Sequence, residues 1–153
     1  MLANLLVAVS NIPCLYPIYV AMTNKDYLTT AALTFVSGAS FTSHLVENHK
    51  HGMPGIGFSK TVSYYLNRLD VLGCILVSSR LAYLYWQNHG LNFNLIINNK
   101  LTFAIYLLPI IFLRISEYDK YNAALRNRYI ITHCIWHISV FTMIGRFLKN
   151  FIY

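Results

Sequence analysis

Five apolar runs, each close to the length needed to cross a bilayer, occupy most of the 153 residues and leave few folds open to this chain. They are Leu2–Met22, Leu28–Val46, Leu66–Trp86, Ile97–Ile115 and Tyr129–Leu148. A helix rises about 1.5 Å per residue, so about twenty residues cover the roughly 30 Å of hydrocarbon in a bilayer. The pattern predicts an all-α fold: a polytopic transmembrane helix bundle of about five spans, one domain over residues 1–153. Seven short spans are the alternative.

Composition supports this. The chain is 56% hydrophobic and 11% charged, where soluble domains carry about 25% charged residues. The net charge of +7 comes from lysines and arginines scattered singly at the ends of apolar runs. Snorkelling anchors fit that placement, and no basic stripe suggests nucleic acid. Cys14, Cys74 and Cys134 show no CxxC spacing, so they read as small hydrophobes rather than a disulfide or zinc framework. No Lys or Arg precedes Leu2–Met22, so a retained first helix is expected rather than a signal peptide.

Pro13 and Pro17 should kink the first run, and Pro109 lies inside the fourth. The second run is rich in small residues (Ala31, Ala32, Ser37, Gly38, Ala39, Ser40), which predicts a central helix. Polar loops are expected over Glu47–Tyr65 and Ser116–Arg128.

Against this background three histidines stand out: His44 in the second run, and His133 and His137 in the last. An ionisable residue at mid-membrane costs about 2.5–3.5 kcal/mol or more when charged, so it marks a functional site by default. His133 and His137, four apart on a helix, share one face and can address one ion. Three imidazoles suit zinc, and three protein ligands leave the open position typical of a catalytic site. Asp70, at the head of the third run, is placed to hold a water and take its proton; Ser40, one turn below His44, is placed to support the site.

Structural readings stand beside these. A single membrane histidine also serves as a hydrogen-bonding partner between helices, Asp70 can pair with Arg68, and Ser40 and Ser43 can act as interhelical glue. His49, His51 and His89 lie in or beside polar loops and are expected to be solvated, with His49 or His51 a lesser candidate for the site's entrance. Trp136 reads as an aromatic facing a neighbouring helix or the interface.

Topology supplies a constraint. For His44, Asp70, His133 and His137 to share one depth, the last helix must run in the direction of the third, which five or seven spans allow and six do not. Lys50, Lys60, Arg68, Lys120, Arg126 and Arg128 would lie on the site's side, a modest excess favouring a cytoplasmic face.

Ser40-x3-His44, Asp70 and His133-x3-His137 together resemble the signature of the CREST superfamily, which includes alkaline ceramidases, adiponectin/progestin-type receptors, GPI-lipid remodelling proteins and the myomaker branch. Ser37-Gly-Ala-Ser-Phe-Thr-Ser-His44 is similar to its second-helix motif and Thr132-His-Cys-Ile-Trp-His-Ile138 to its last. The resemblance implies zinc held by His44, His133 and His137, a water oriented by Asp70, and Ser40 nearby. Members typically have seven spans, whereas 62 residues separate Asp70 from His133 here, so the lipid pocket is reduced or completed by a second copy.

The expectation is a zinc-dependent hydrolase acting on an amide or ester bond of a membrane lipid of ceramide, GPI-lipid or phospholipid type. Two other readings stand: a non-enzymatic membrane protein with a structural zinc, and a b-type haem protein with two histidine ligands.

Overall fold

The computed structural model describes residues 2–47, 55 and 57–153, which are almost entirely helical, with no strand among them. His49, Lys50 and His51 lie outside the described residues.

The first apolar run is one rod broken in the middle: α1 (Leu2–Val9), a 3₁₀ turn (Ile12–Cys14) and α2 (Leu15–Thr23). Pro13 sits in that turn, where a missing N–H breaks the α-helical ladder. Pro17 lies in the first turn of α2 and needs no bond there. Lys25, at φ +60°, turns the chain into α3 (Tyr27–Val46). Asp26 caps α3 by accepting from Thr29 N–H at 3.0 Å.

The helix α4 (Lys60–His89) begins before the predicted Leu66, because Ser59 caps it, accepting from Val62 N–H at 3.3 Å. The fourth run is not one helix. It divides into α5 (Phe93–Asn98), α6 (Lys100–Tyr106) and α7 (Leu108–Asp119), with Pro109 in the first turn of α7 obstructing continuation from α6. Ser116, expected in a loop, is buried in α7. A 3₁₀ turn (Ala123–Leu125) leads into α8 (Arg126–Phe147), which ends in a π-helical turn, Leu148–Ile152.

Four stretches are long and apolar enough to cross a membrane: Leu2–Thr23, Lys60–His89, Lys100–Asp119 and Ala123–Ile152. The second predicted span forms α3 at its expected place, but it is not among the four. Thr29, Thr30, Thr34, Ser37, Ser40, Thr42, Ser43 and His44 dilute its hydropathy. Its partners explain this composition. α3 packs against α1, α2 and α4, and Thr29, Ser40, Ser43 and His44 are buried.

The polarity of the molecule is inverted. Leu2, Leu15, Leu101 and Ile110 are among many large apolar residues exposed outside, while Asn4, Asn11, Ser40, His44, Glu47, Asp70, Asp119, His133 and His137 are buried. Exposed apolar surface and buried polar groups are the informative departures from a water-soluble pattern.

Close helix approach occurs at Gly73, not at Gly38. A Cβ on Gly73 of α4 would lie 2.9 Å from Val36 Cα of α3, whereas one on Gly38 would meet nothing. At the far end, Arg80 of α4 bonds both oxygens of Asp26 at 2.9–3.0 Å, and Tyr153 donates to Asp26 at 2.9 Å. The Asp26 carboxyl sits low, at about 2: burial would raise it, but bonds from Thr29, Tyr153 and Arg80 prevail.

α1 and α2 pack against both α3 and α8, bringing the last turn of α3 level with the early turns of α8 and with Asp70 on α4. The direction required of the last helix is thus met.

Candidate metal centre

His44, His133 and His137 are all buried, and one ring nitrogen from each lies within 4.8 Å of the others. Nε2 of His44 and Nε2 of His133 are 3.2 Å apart. Ligands about 2.0–2.1 Å from a tetrahedral ion stand about 3.3 Å from one another, so this spacing fits shared coordination. It leaves no room for a porphyrin plane between the two rings, which argues against the haem reading.

The other face of each ring explains why the Nε2 atoms converge. Ser10 donates its single proton to Val7 O at 2.6 Å and lies 2.7 Å from His137 Nδ1, so it must accept there. Ser116 donates to Leu113 O at 2.8 Å and lies 3.1 Å from His133 Nδ1, so it too must accept. His44 Nδ1 donates to the Glu47 carboxylate at 2.9 Å. With both serine protons on their backbone carbonyls, the network places the ring proton on Nδ1 in all three histidines and leaves the Nε2 lone pairs free for an ion. In that tautomer two lone pairs face each other at 3.2 Å, an arrangement that a shared cation relieves. This outward tethering is how metal-ligating histidines are held.

Glu47 is itself well held. Tyr129 donates to it at 3.0 Å and Lys120 Nζ lies 3.1 Å from Oε1. Burial disfavours the Lys120 charge, but Glu47 and Glu117 outweigh it and hold its pKa above the ordinary lysine value. Asn4 of α1 donates to His44 O at 3.0 Å and Glu47 O at 2.8 Å, fastening the end of α3 to the first helix.

Asp70 completes the group from α4. Its Oδ2 is 3.9 Å from His44 Nε2, while Oδ1 is buried without a hydrogen-bond partner. An orphaned carboxylate oxygen beside three inward lone pairs suits a bound cation with water. The alternative pairing with Arg68 is not what the fold uses, since Arg68 lies over the Tyr64 ring at 4.9 Å. Ser40 Oγ is 3.4 Å from His137 Nε2. All five predicted residues thus meet in one place.

The group lines one end of a cavity of ≈ 1010 Å³ between α3, α4, α5, α6, α7 and α8. Beyond the site the lining is largely apolar, including Val71, Ile75, Leu81, Leu113 and Val140. Trp136, read from sequence as an aromatic facing a neighbouring helix or the interface, lines this cavity and packs on His133 and His137, with ring centroids 4.9 and 4.6 Å away. His89 is not simply solvated: its Nε2 donates to Phe151 O at 2.6 Å. Lys120 is ion-paired rather than a free headgroup anchor.

Sequence reasoning missed Ser10, Glu47 and Ser116. Ser10 carried a faint signal, being a polar residue in an apolar run; the other two fell in segments assigned to loops.

The chain is 56% identical over 150 residues to an uncharacterized protein of Acanthamoeba polyphaga mimivirus, covering 98% of this chain and 99% of the relative. No family model matches the chain, and no solved structure matches it.

Proposed function

The chain belongs to one family with the mimivirus protein, and we propose that it is a membrane-embedded, zinc-dependent hydrolase cleaving an amide or ester bond of a lipid. The observation that carries this reading is the convergence of one ring nitrogen from each of three buried histidines, with each Nδ1 tied outward to Ser10, Glu47 or Ser116. Exposed apolar surface around a buried polar centre supports placement in lipid. The likeness of Ser40, His44, Asp70, His133 and His137 to the CREST signature supports the chemistry.

His44, His133 and His137 would hold the zinc. When bound, it supplies a Lewis acid that polarises a carbonyl and lowers the pKa of a water toward about 7. Asp70 orients the attacking water and accepts its proton as the new carbon–oxygen bond forms. It then delivers that proton to the departing nitrogen or oxygen as the acyl bond breaks, so no further reactant is needed. Ser40 donates to the carbonyl oxygen as negative charge develops there. Trp136 and the apolar wall keep bulk water away from these groups.

Metal analysis of detergent-purified protein, followed by incubation with ceramide, phospholipid and GPI-lipid, tests the reading. Wild type should carry about one zinc per chain, His133→Ala should lose it, and Asp70→Asn should keep it yet lose turnover. Stoichiometric zinc without hydrolysis of any of these lipids would overturn the reading.

A second reading is favoured by the same tethers, which join α1, α3, α7 and α8: zinc as a purely structural tie. In that case Asp70→Asn is harmless, while His137→Ala lowers the folded yield.

A further inference from the structure

The cavity that starts at the histidines runs down one face of α8 and one face of α4, and both faces end on aromatic rings. On α8 the lining residues His133, His137, Val140, Ile144 and Phe147 follow helical spacing. Helical rise puts Phe147 about 21 Å beyond His133 and Tyr85 about 22 Å beyond Asp70 on α4. The two faces therefore close at the same distance from the polar end.

The closure is a ring of four side chains. Tyr85 and Phe103 have centroids 6.4 Å apart, Phe103 and Tyr106 6.1 Å, Tyr106 and Phe147 6.1 Å, and Phe147 and Tyr85 6.1 Å. Phe151 backs this wall, 5.3 Å from Phe103 and 5.7 Å from Phe147. It is fixed there because His89 donates to its carbonyl and Asn88 donates to that of Ile152 at 2.9 Å. The hydroxyls of Tyr85 and Tyr106 are buried.

We propose that this aromatic wall is a chain-length stop, and that the cavity takes one extended, unbranched acyl chain with its carbonyl at the metal centre. The proposal rests on the lipid-hydrolase reading of that centre. Three features favour this occupant: one polar end, an apolar body, and a length of about 21 Å, comparable with the roughly 15 Å leaflet that one lipid chain spans when loosely packed and somewhat more when extended. A packed aromatic end distinguishes chains that reach it from chains that overrun it, because overpacking a formed wall is unfavourable.

The test is displacement of a fluorescent fatty acid from detergent-purified protein by a homologous series of unbranched fatty acids. Affinity should rise about fourfold per added methylene until the chain meets the wall, and then fall. Phe147→Ala should move the optimum to longer chains. Val140→Phe, halfway between His133 and the wall, should move it to shorter ones. A profile that never turns over, an optimum that neither variant moves, or stronger displacement by a sterol than by any fatty acid would each overturn the proposal. If one variant fails to fold, the wild-type profile and the other variant still decide it. A length optimum without lipid hydrolysis would leave the stop standing and sink the hydrolase; hydrolysis indifferent to chain length would do the reverse.

Discussion

Ser10 meets His137 at 2.7 Å across 127 positions of sequence, and it does so as an acceptor because its proton is committed to Val7 O. The first helix therefore fixes a ring that belongs to the last. Ser10→Ala should weaken zinc binding by about tenfold or more, as loss of such outer partners does. Ser10→Thr, which keeps the hydroxyl, should restore it. Competition with a chromophoric chelator measures both.

Among the described residues, the Glu47 side chain meets His44, Tyr129 and Lys120. Glu47→Gln should weaken zinc binding and cost about 1–3 kcal/mol of stability, since it removes the closer of the two carboxylates that pair with Lys120. Adding Lys120→Met should recover part of the stability but none of the zinc affinity. Thermal unfolding alongside metal titration separates the two effects.

The Asp26 carboxyl, held at about 2 against an ordinary 3.8, ties stability to acid. A carboxyl depressed in the folded state contributes fully above its unfolded pKa, and the contribution fades as pH falls from about 4 toward about 2. Wild type should lose thermal stability across that window. Asp26→Asn should start less stable and lose less, and comparing unfolding midpoints on both sides of the window checks it.

Gly73 and Gly38 should respond oppositely to alanine. At Gly73 the added carbon would lie 2.9 Å from Val36 Cα, which cannot move without moving α3. A cost of about 1–3 kcal/mol is expected. At Gly38 the same change meets open space and should gain up to about 1 kcal/mol of helix propensity. Denaturation of the two variants in the same detergent tests the contrast.

The ligand set was legible because polarity is conspicuous in apolar runs: His44, His133, His137 and Asp70 each interrupt a pattern that lipid would favour. The i, i+4 spacing of His133 and His137 fixed a shared face, and the depth argument brought the rest together. Two of the tethers were illegible for a physical reason. Ser10 and Ser116 reach their histidines from other elements, so no spacing relates them to their partners, whereas Glu47 stands only three residues after His44 and was readable as an i, i+3 pair. Glu47 and Ser116 also lie at the ends of apolar runs, where a polar residue is unremarked. The helix broken by Pro109 read as continuous because apolar composition records thickness, not backbone continuity. Conversely, the Ser and Thr content of α3 was visible as small-residue packing, but its cost in hydropathy was underestimated.

The seams at Asn99 and Leu107 divide the stretch from Phe93 to Asp119 into pieces, and Ser116 rides beyond both. A rod with seams accommodates a thinner or thicker bilayer by bending where its ladder is already interrupted, rather than by tilting as a whole. Any such bend is transmitted to the contact between Ser116 and His133. In a bilayer, the fold would couple the surrounding lipid to the aim of an imidazole at its centre.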